Sequence, residues 1–285
     1  MYGNDIHEFI RLALEEDVGD GDHTSLATIP LDATGRARLL VKEDGLIAGV
    51  ELAGLIFKQV DPDLQVDALI QDSTPIRYGD IVLTVAGRSQ SILKAERLVL
   101  NCLQRMSGIA TYTNKLVRLL DGLPTKLLDT RKTTPNFRIC EKWATHLGGA
   151  TNHRYALYDQ ILIKDNHVDY AGGIEAAIRK ANEYLAATGR TLLIEIEVRN
   201  LAELDTVLQV CEASPNSVQR IMLDNFSFEN LNEAVRRVAG RYPTEASGGI
   251  NEQTLRRYAE CGVDYISVGA LTHHVSSLDL SLKAF

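Results

Sequence analysis

The sequence is short of the residues that mark secreted, membrane-bound and nucleic-acid-binding proteins. Its 285 residues include only 4 cysteines, 3 methionines, 7 prolines and 1 tryptophan. Cys102, Cys140, Cys211 and Cys261 are widely scattered and form no Cys-x-x-Cys pair. That spacing argues against a disulfide framework or a zinc site and predicts four reduced, mostly buried thiols in a cytoplasmic protein. No apolar run reaches membrane-spanning length, and the greasiest stretch, Leu46 to Phe57, is interrupted by Glu51. The opening Met-Tyr-Gly-Asn-Asp-Ile-His-Glu has no basic segment leading into an apolar one, so no secretory signal is expected. A basic excess is also missing: 30 Lys and Arg face 38 Asp and Glu, for a formal charge of −8. An acidic balance argues against general nucleic-acid binding, which needs a basic face.

What the chain does have is enough apolar residue, 45%, to bury a sizeable core. Up to about residue 115 the elements are mixed. Ile6, Phe9, Ile10, Ala13 and Leu14 fall at helical spacing before Gly19-Asp20-Gly21-Asp22 breaks the pattern. Runs near 35–42, 64–70 and 81–85 read as strands, and a long helix follows from Ser91 with Gly108 inside it or at a break. From about Pro124 the pattern becomes short apolar strands followed by helices. Strands are expected at 126–129, 160–163, 192–198, 219–223, 243–246 and 263–267, with amphipathic segments at 173–187, 201–212, 228–240 and 251–260. Repeated βα units build a parallel sheet with helices outside, and a barrel is its closed form. The expectation is an α/β protein: a smaller α/β domain over 1–115, a barrel domain over 116–275, and a tail over 276–285 that packs on the first domain.

Polar residues collect where these strands end. Arg131 and Lys132 follow the first, Lys164 the second, Glu195 and Glu197 lie in the third, Asp224 ends the fourth, Ser247-Gly248-Gly249 the fifth and Gly269 the sixth. Barrel enzymes carry their active sites at this carboxyl-terminal face, so an enzyme is expected. Within it, Thr125 to His167 forms a cationic island of seven Lys or Arg against four acids in an acidic chain. Guanidinium forks and ammonium point charges clustered against the global balance suit a small, multiply anionic ligand.

The motifs Thr-Arg-Lys-Thr-Thr-Pro (130–135), Gly-Gly-Ala-Thr-Asn-His-Arg (148–154), Leu-Ile-Lys-Asp-Asn-His (162–167), Ile-Glu-Val (196–198), Met-Leu-Asp-Asn-Phe (222–226), Glu-Ala-Ser-Gly-Gly-Ile (245–250) and Ile-Ser-Val-Gly-Ala-Leu-Thr-His (266–273) occur in this order. Together they resemble quinolinate phosphoribosyltransferase, over nearly the whole chain. The resemblance implies an incomplete α/β barrel of seven strands, of which six are countable here, behind a smaller α/β sandwich domain. It also implies transfer of ribose 5-phosphate from phosphoribosyl pyrophosphate to quinolinate with loss of CO2, giving nicotinate mononucleotide for NAD synthesis. Lys132 and Lys164 would then stabilise the departing pyrophosphate with Mg²⁺. Glu197 and Asp224 would hold the ribose hydroxyls or the metal and face the developing positive charge on the ring. Thr130, Arg131, His153 and Arg154 would bind the dicarboxylate, and Ser247, Gly248, Gly249 and Gly269 the 5-phosphate, aided by a helix starting near Asn251. Arg97, on the first domain, would reach the site of a neighbouring subunit in a homodimer.

Several positions keep two readings. Glu195 is either a site residue or a buried partner of a neighbouring cation. His153 is either a ligand contact or a loop donor, and Arg97 either a site residue or a salt-bridging residue of its helix. Asp17, Asp20, Asp22 and His23 fit no calcium loop and read as an acidic turn. Trp143 is expected to pack in a helix over 136–147, and His273 follows the last strand without an assigned role. Asn136 and Ala150 stand where the family pattern has glycine. The rival functions are a phosphoribosyltransferase for nicotinate or another planar acid, and a non-catalytic phosphosugar sensor. Four cations, Arg97, Arg131, Arg154 and Lys164, suit two carboxylates better than one, and a sensor would have no need of Lys132, Glu197 and Asp224 together.

Overall fold

The structure, a computed structural model, describes residues 3–285 and consists of two compact units. One comprises residues 1–115, 132–149 and 271–285; the other comprises 116–131 and 150–270. The sequence places the barrel domain in one piece from 116, whereas 132–149 lies with the first unit. The reason is apolar: Ile139, Cys140 and Ala144 on the helix Arg138–Leu147 are buried in that unit's core.

The first unit is built on strands β1 (Thr34–Val41), β2 (Gly45–Leu46), β3 (Gln65–Ala68), β4 (Pro75–Ile76) and β5 (Ile81–Arg88). Its main sheet is completed by the chain's final strand, β12 (Leu280–Ala284), in the order β12-β1-β5-β3, all antiparallel. Ala37, Leu39 and Val41 alternate into the core along β1, the period-two signature of a sheet wet on one side. Helices Gly3–Val18, Val50–Val60 and Ser89–Leu119 supply Ile6, Ile10, Ile56, Phe57, Leu103 and Met106 to the same core. Each fully buried large side chain of this kind contributes about 1.5–3 kcal/mol. The long helix runs through Gly108 unbroken, because the glycine serves packing: a Cβ there would lie 2.1 Å from the carbonyl oxygen of Ser276. Asp22 caps the helix His23–Thr28 by accepting from Ser25 N–H at 3.1 Å, so the acidic turn is a capping turn. Trp143 packs partly buried against the core.

The second unit carries β6 (Lys126–Leu128), β7 (Ile161–Ile163), β8 (Ile194–Val198), β9 (Arg220–Asp224), β10 (Thr244–Ser247) and β11 (Tyr265–Ser267). They form one parallel sheet in the order β6-β11-β10-β9-β8-β7. The strand missing from the six legible in sequence is a single residue. Thr151 makes an isolated parallel bridge with Leu128, held by its N–H to Leu127 O at 2.9 Å. The bridge extends the sheet by one step beyond β6 and leaves an open α/β barrel. Helices follow the strands at Asp165–Ala171, Ile174–Thr188, Leu201–Ala213, Phe228–Val238 and Leu255–Glu260.

The register divides this sheet by chemistry. Ile161, Ile163, Ile194, Ile196, Val198, Ile221, Leu223, Ala246 and Ile266 share the face that packs on the helices. The opposite face, which lines a barrel's interior, holds Lys164, Glu195, Glu197, Arg220, Asp224, Glu245 and Ser247. An apolar outside and a polar inside is the reverse of a barrel whose interior exists only for packing.

Candidate active site

The cationic island begins where β6 ends. Asp129, fully buried, accepts the backbone N–H of His153 at 2.8 Å and the side-chain amide of Asn152 at 2.6 Å. This carboxylate ties the 152–154 turn to the end of β6 and so places Arg131 and Arg154 near one another. They repel: burial lowers the Arg154 pKa, and the Arg131 charge lowers it further. Arg154 donates to the carbonyl of Gln160 at 3.2 Å, while Arg131 has no carboxylate partner among the described residues and its Nε is buried without a hydrogen bond. A protein does not normally leave such donors unpaired, because each costs about 1–3 kcal/mol. Two crowded guanidiniums and an orphaned donor describe a seat for a compact anion.

His153 points elsewhere. Its ring is turned into the barrel, Nε2 lying 3.1 Å from Glu195 Oε2 and 3.4 Å from Glu245 Oε2. In this geometry the ring makes a buried polar link on the barrel side. Its Nδ1 accepts the backbone N–H of Arg154 at 2.8 Å. Burial opposes a second proton on the ring, but the two carboxylates outweigh it and raise the pKa to about 9. That second proton would sit on Nδ1 and displace the Arg154 N–H, so in the arrangement shown here, with that bond made, the one ring proton is on Nε2. Glu195 resolves to the second of its two readings, a buried partner. It accepts from Gln160 Nε2 at 2.8 Å and lies 3.8 Å from Arg220.

Lys164 and Glu197, both expected at the reaction centre, are brought together at 2.9 Å, the lysine half-exposed and the carboxylate nearly buried. Asp224, at the end of β9, accepts from Asn225 Nδ2 at 2.6 Å. Asn225 takes a left-handed φ of 55° and donates its N–H to Ser247 O, which joins the β9 and β10 exits. Gly248 is required there: its φ is +100°, and a Cβ would meet Asn225 Oδ1 at 2.3 Å. With Gly249 at +62°, this exit forms a left-handed turn whose backbone lies open. The helix expected to start near Asn251 begins only at Leu255 and has six residues. Residues 251–254 form a turn held by the Asn251 side chain, so no long helix N-terminus supports a phosphate there. Gly269 ends the β11 exit in the same unit.

Lys132 and Arg97 belong to the first unit. The carbonyl of Lys132 accepts from Thr272 Oγ1 at 2.7 Å, and buried Glu141 holds the neighbouring Thr134 through its N–H at 2.9 Å. Arg105 fixes Glu141 in turn at 3.0 Å. His273 is exposed beside Lys132, and burial, His274 and Lys132 together lower its pKa. Arg97 projects exposed from the long helix with no ion-pair partner among the described residues. Asn136 adopts a φ of 61°, the conformation for which glycine is the ordinary choice and which asparagine tolerates. Ala150 is buried and stays outside that region.

Residues 22–107 match the model of the quinolinate phosphoribosyl transferase N-terminal domain, and residues 109–283 that of the C-terminal domain. The chain belongs to the quinolinate phosphoribosyltransferase family. Among relatives, it is 44% identical to quinolinate phosphoribosyltransferase [decarboxylating] 1b of Nicotiana tabacum, over 98% of this chain and 82% of the relative. It is also 44% identical to the chloroplastic nicotinate-nucleotide pyrophosphorylase [carboxylating] of Arabidopsis thaliana, with the same coverage. The crystal structure of the nicotinate-nucleotide pyrophosphorylase of Francisella tularensis superposes with a TM-score of 0.89 at 38% identity, covering 99% of this chain and 96% of that one. Motif reading passes over Asp129, Gln160, Arg220 and Glu245, which hold His153, Arg154 and one another in the contacts described above. The signal available was spacing: Glu195 and Glu197, Arg220 and Asp224, and Glu245 and Ser247 put charge at alternate positions between buried Ile, Val, Leu and Ala.

Proposed function

We propose that this chain joins the ring nitrogen of quinolinate to C1 of phosphoribosyl pyrophosphate, releases pyrophosphate, and then loses the neighbouring carboxylate as CO2 to give nicotinate mononucleotide for NAD synthesis. The observation that carries the proposal is Arg131 beside Arg154, neither guanidinium in an ion pair among the described residues, with Asp159 and Glu195 acting on Arg154 only at longer range. A dianionic planar acid satisfies both, whereas a monocarboxylate leaves one unmatched. Family membership supports the same reading.

As the bond from ribose to pyrophosphate stretches, positive charge grows on the sugar ring and negative charge on the leaving group. Glu197 and Asp224 face the first, and Lys164 and Lys132 the second. Lys164 and Glu197 balance each other's charge in the free protein until the substrate charges take over each of them. Ser247, Gly248 and Gly249 offer backbone N–H groups, with Gly269, to the 5-phosphate. Thr130 adds a hydroxyl beside the dicarboxylate. Once ribosylated, the ring nitrogen is cationic and stabilises the electron pair left by CO2, so no separate decarboxylating group is needed.

Glu197 and Asp224 offer hard carboxylate oxygens, which suit a Mg²⁺ that would arrive with phosphate oxygens as further ligands; among the described residues they form no three-donor cluster with another acid, His or Cys. The ion would neutralise charge on the pyrophosphate. Arg97, exposed and unpaired, is assigned to a partner subunit's site in a homodimer. The buried free thiols suit a reducing compartment, and the cytoplasm is our assignment. No helix among the described residues is long and apolar enough to cross a membrane.

The test is turnover with phosphoribosyl pyrophosphate, Mg²⁺ and either quinolinate or nicotinate, measuring CO2 and nicotinate mononucleotide. Quinolinate should be favoured by a factor of at least ~100, from several kcal/mol of unmatched buried charge. Equal kcat/KM for the two acids would rule out the assignment.

A further inference from the structure

Inside the barrel the polar contacts close into a ring. Arg154 donates its backbone N–H to His153 Nδ1 at 2.8 Å, and His153 Nε2 faces Glu195 Oε2 at 3.1 Å. The same carboxylate oxygen accepts from Gln160 Nε2 at 2.8 Å, and the carbonyl of Gln160 accepts from Arg154 Nη1 at 3.2 Å. Both the backbone and the guanidinium of Arg154 are therefore fixed by one buried carboxylate, each through one intermediate residue. Glu245 adds a second acceptor for His153 Nε2 at 3.4 Å and is itself held by Arg220 Nη1 at 3.3 Å.

We propose that Glu195 and Glu245 are positioning residues for quinolinate binding, acting through the tautomer of His153 to hold Arg154 at the anion seat. This rests on the reading of Arg154 as a quinolinate ligand. The argument is one of lone pairs. Arg154 N–H needs an acceptor, so Nδ1 must be bare and the ring proton must sit on Nε2. A proton on Nε2 is favoured by nearby negative charge, and carboxylate oxygens of Glu195 and Glu245 lie 3.1 and 3.4 Å from it. If those acceptors are weakened, the proton can move to Nδ1. It then meets the Arg154 N–H donor to donor, and the 153–154 peptide turns away.

A cation held by His153, Glu195 and Glu245 is the competing account, since their donor atoms lie within 4.8 Å of one another. The guanidinium of Arg220, against Glu245 and 3.8 Å from Glu195, already supplies a positive charge to this cluster. Burial raises the pKa of Glu195, while His153, ahead of Ser267, brings that of Glu245 down against its burial.

The experiment has two arms on the full-length protein. In the first, Glu195→Gln, Glu245→Gln and the double variant are compared with wild type in steady-state kinetics. The double variant should raise KM for quinolinate by roughly tenfold or more, the factor that corresponds to one lost hydrogen bond to a charged group, with KM for phosphoribosyl pyrophosphate and kcat little changed. An unchanged KM for quinolinate in a folded double variant, or an equal rise in both KM values, overturns the proposal. In the second arm, ¹⁵N chemical shifts of the His153 ring are read without substrate, using His153→Asn to assign the signal. Wild type should show Nε2 protonated and Nδ1 bare, with the signal shifting toward the other tautomer in Glu195→Gln. A wild-type ring protonated on Nδ1 alone, or a stoichiometric divalent metal in the purified protein, also overturns it. Because this arm needs no turnover, it stands even if the double variant fails to fold. It also separates failure of the ring device from failure of the quinolinate reading, which the turnover assay tests alone.

Discussion

Arg131→Met should make the protein more stable and less able to bind its substrate. Methionine keeps most of the arginine stem's volume and apolar contact, so the change removes mainly the charge and the donors. Two things improve in the free protein. Two unit charges a few ångströms apart repel by roughly 2–3 kcal/mol at an effective dielectric of ~20, and partial exposure with ordinary salt reduces that to about 1 kcal/mol. The buried Nε of Arg131, unpartnered as it stands, also disappears, relieving another ~1 kcal/mol or so of desolvation cost. A net gain of 1–2 kcal/mol would raise Tm by about 2–6 °C in a chain of this size. Binding moves the other way. Loss of one charge-assisted contact of about 1.5–3 kcal/mol should raise KM for quinolinate by roughly 10- to 150-fold. Differential scanning calorimetry without ligand, together with steady-state kinetics, measures both. A lower Tm with an unchanged KM would show that Arg131 is a structural cation, and the reading of the seat would fall with it.

Three further outcomes test other parts of the molecule. Gly108→Ala should destabilise by about 1–3 kcal/mol in thermal denaturation despite alanine's better helix propensity, because the new methyl would meet Ser276 O at 2.1 Å; a rise in Tm would deny the close approach. Asp61 is buried against Arg88 at 2.8 Å, and that hydrogen bond, opposed by burial and helped by Ser91 and Asp63 N–H, holds its carboxyl well below the usual range. A depressed carboxylate stabilises the fold above its unfolded pKa of about 3.9, and that stability is lost as pH falls toward the folded value. Asp61→Asn should thus cost on the order of 1 kcal/mol at pH 7, discounted for the half-exposed arginine, with the gap to wild type closing below about pH 4; a gap independent of pH would refute the pairing. Mixing inactive Arg97→Ala subunits with inactive Lys132→Ala subunits under verified exchange should restore activity, up to about half of a wild-type dimer per heterodimer. No recovery would remove Arg97 from the partner's site.

Much of the second unit was legible because its signal is local. Short Ile and Leu runs ending in a charge or a glycine mark β6 to β11, and strand periodicity places Glu195 and Glu197 on the same side of their strand without any structure. The unread parts depend on partners far apart in the chain. Thr151 is a strand of one residue, too short for alternation to show. The inward turn of His153 is set by Glu195 and Glu245, more than forty and ninety residues away, and no pattern within 148–154 encodes it. The helix starting at Leu255 was expected four residues early because Asn251, whose side chain builds a turn, is also a common cap. The departure of 132–149 to the first unit was hidden because Ile139, Cys140 and Ala144 fit any helix packed on any core.

The pairing of β1 with β12 has a consequence for how the protein is made. Leu39 lies opposite Leu282, so the strand that opens the first sheet waits for a partner that the ribosome delivers much later. At ~5–20 residues per second, that wait is on the order of 10–50 s. During it, β1 can pair with β5 on one side while its other edge, with unpaired N–H and C=O groups, remains a template for any passing strand. A nascent chain of this protein is thus a better chaperone client than its finished stability would suggest. Deleting only the last six residues should expose that edge permanently, with inclusion bodies as the symptom.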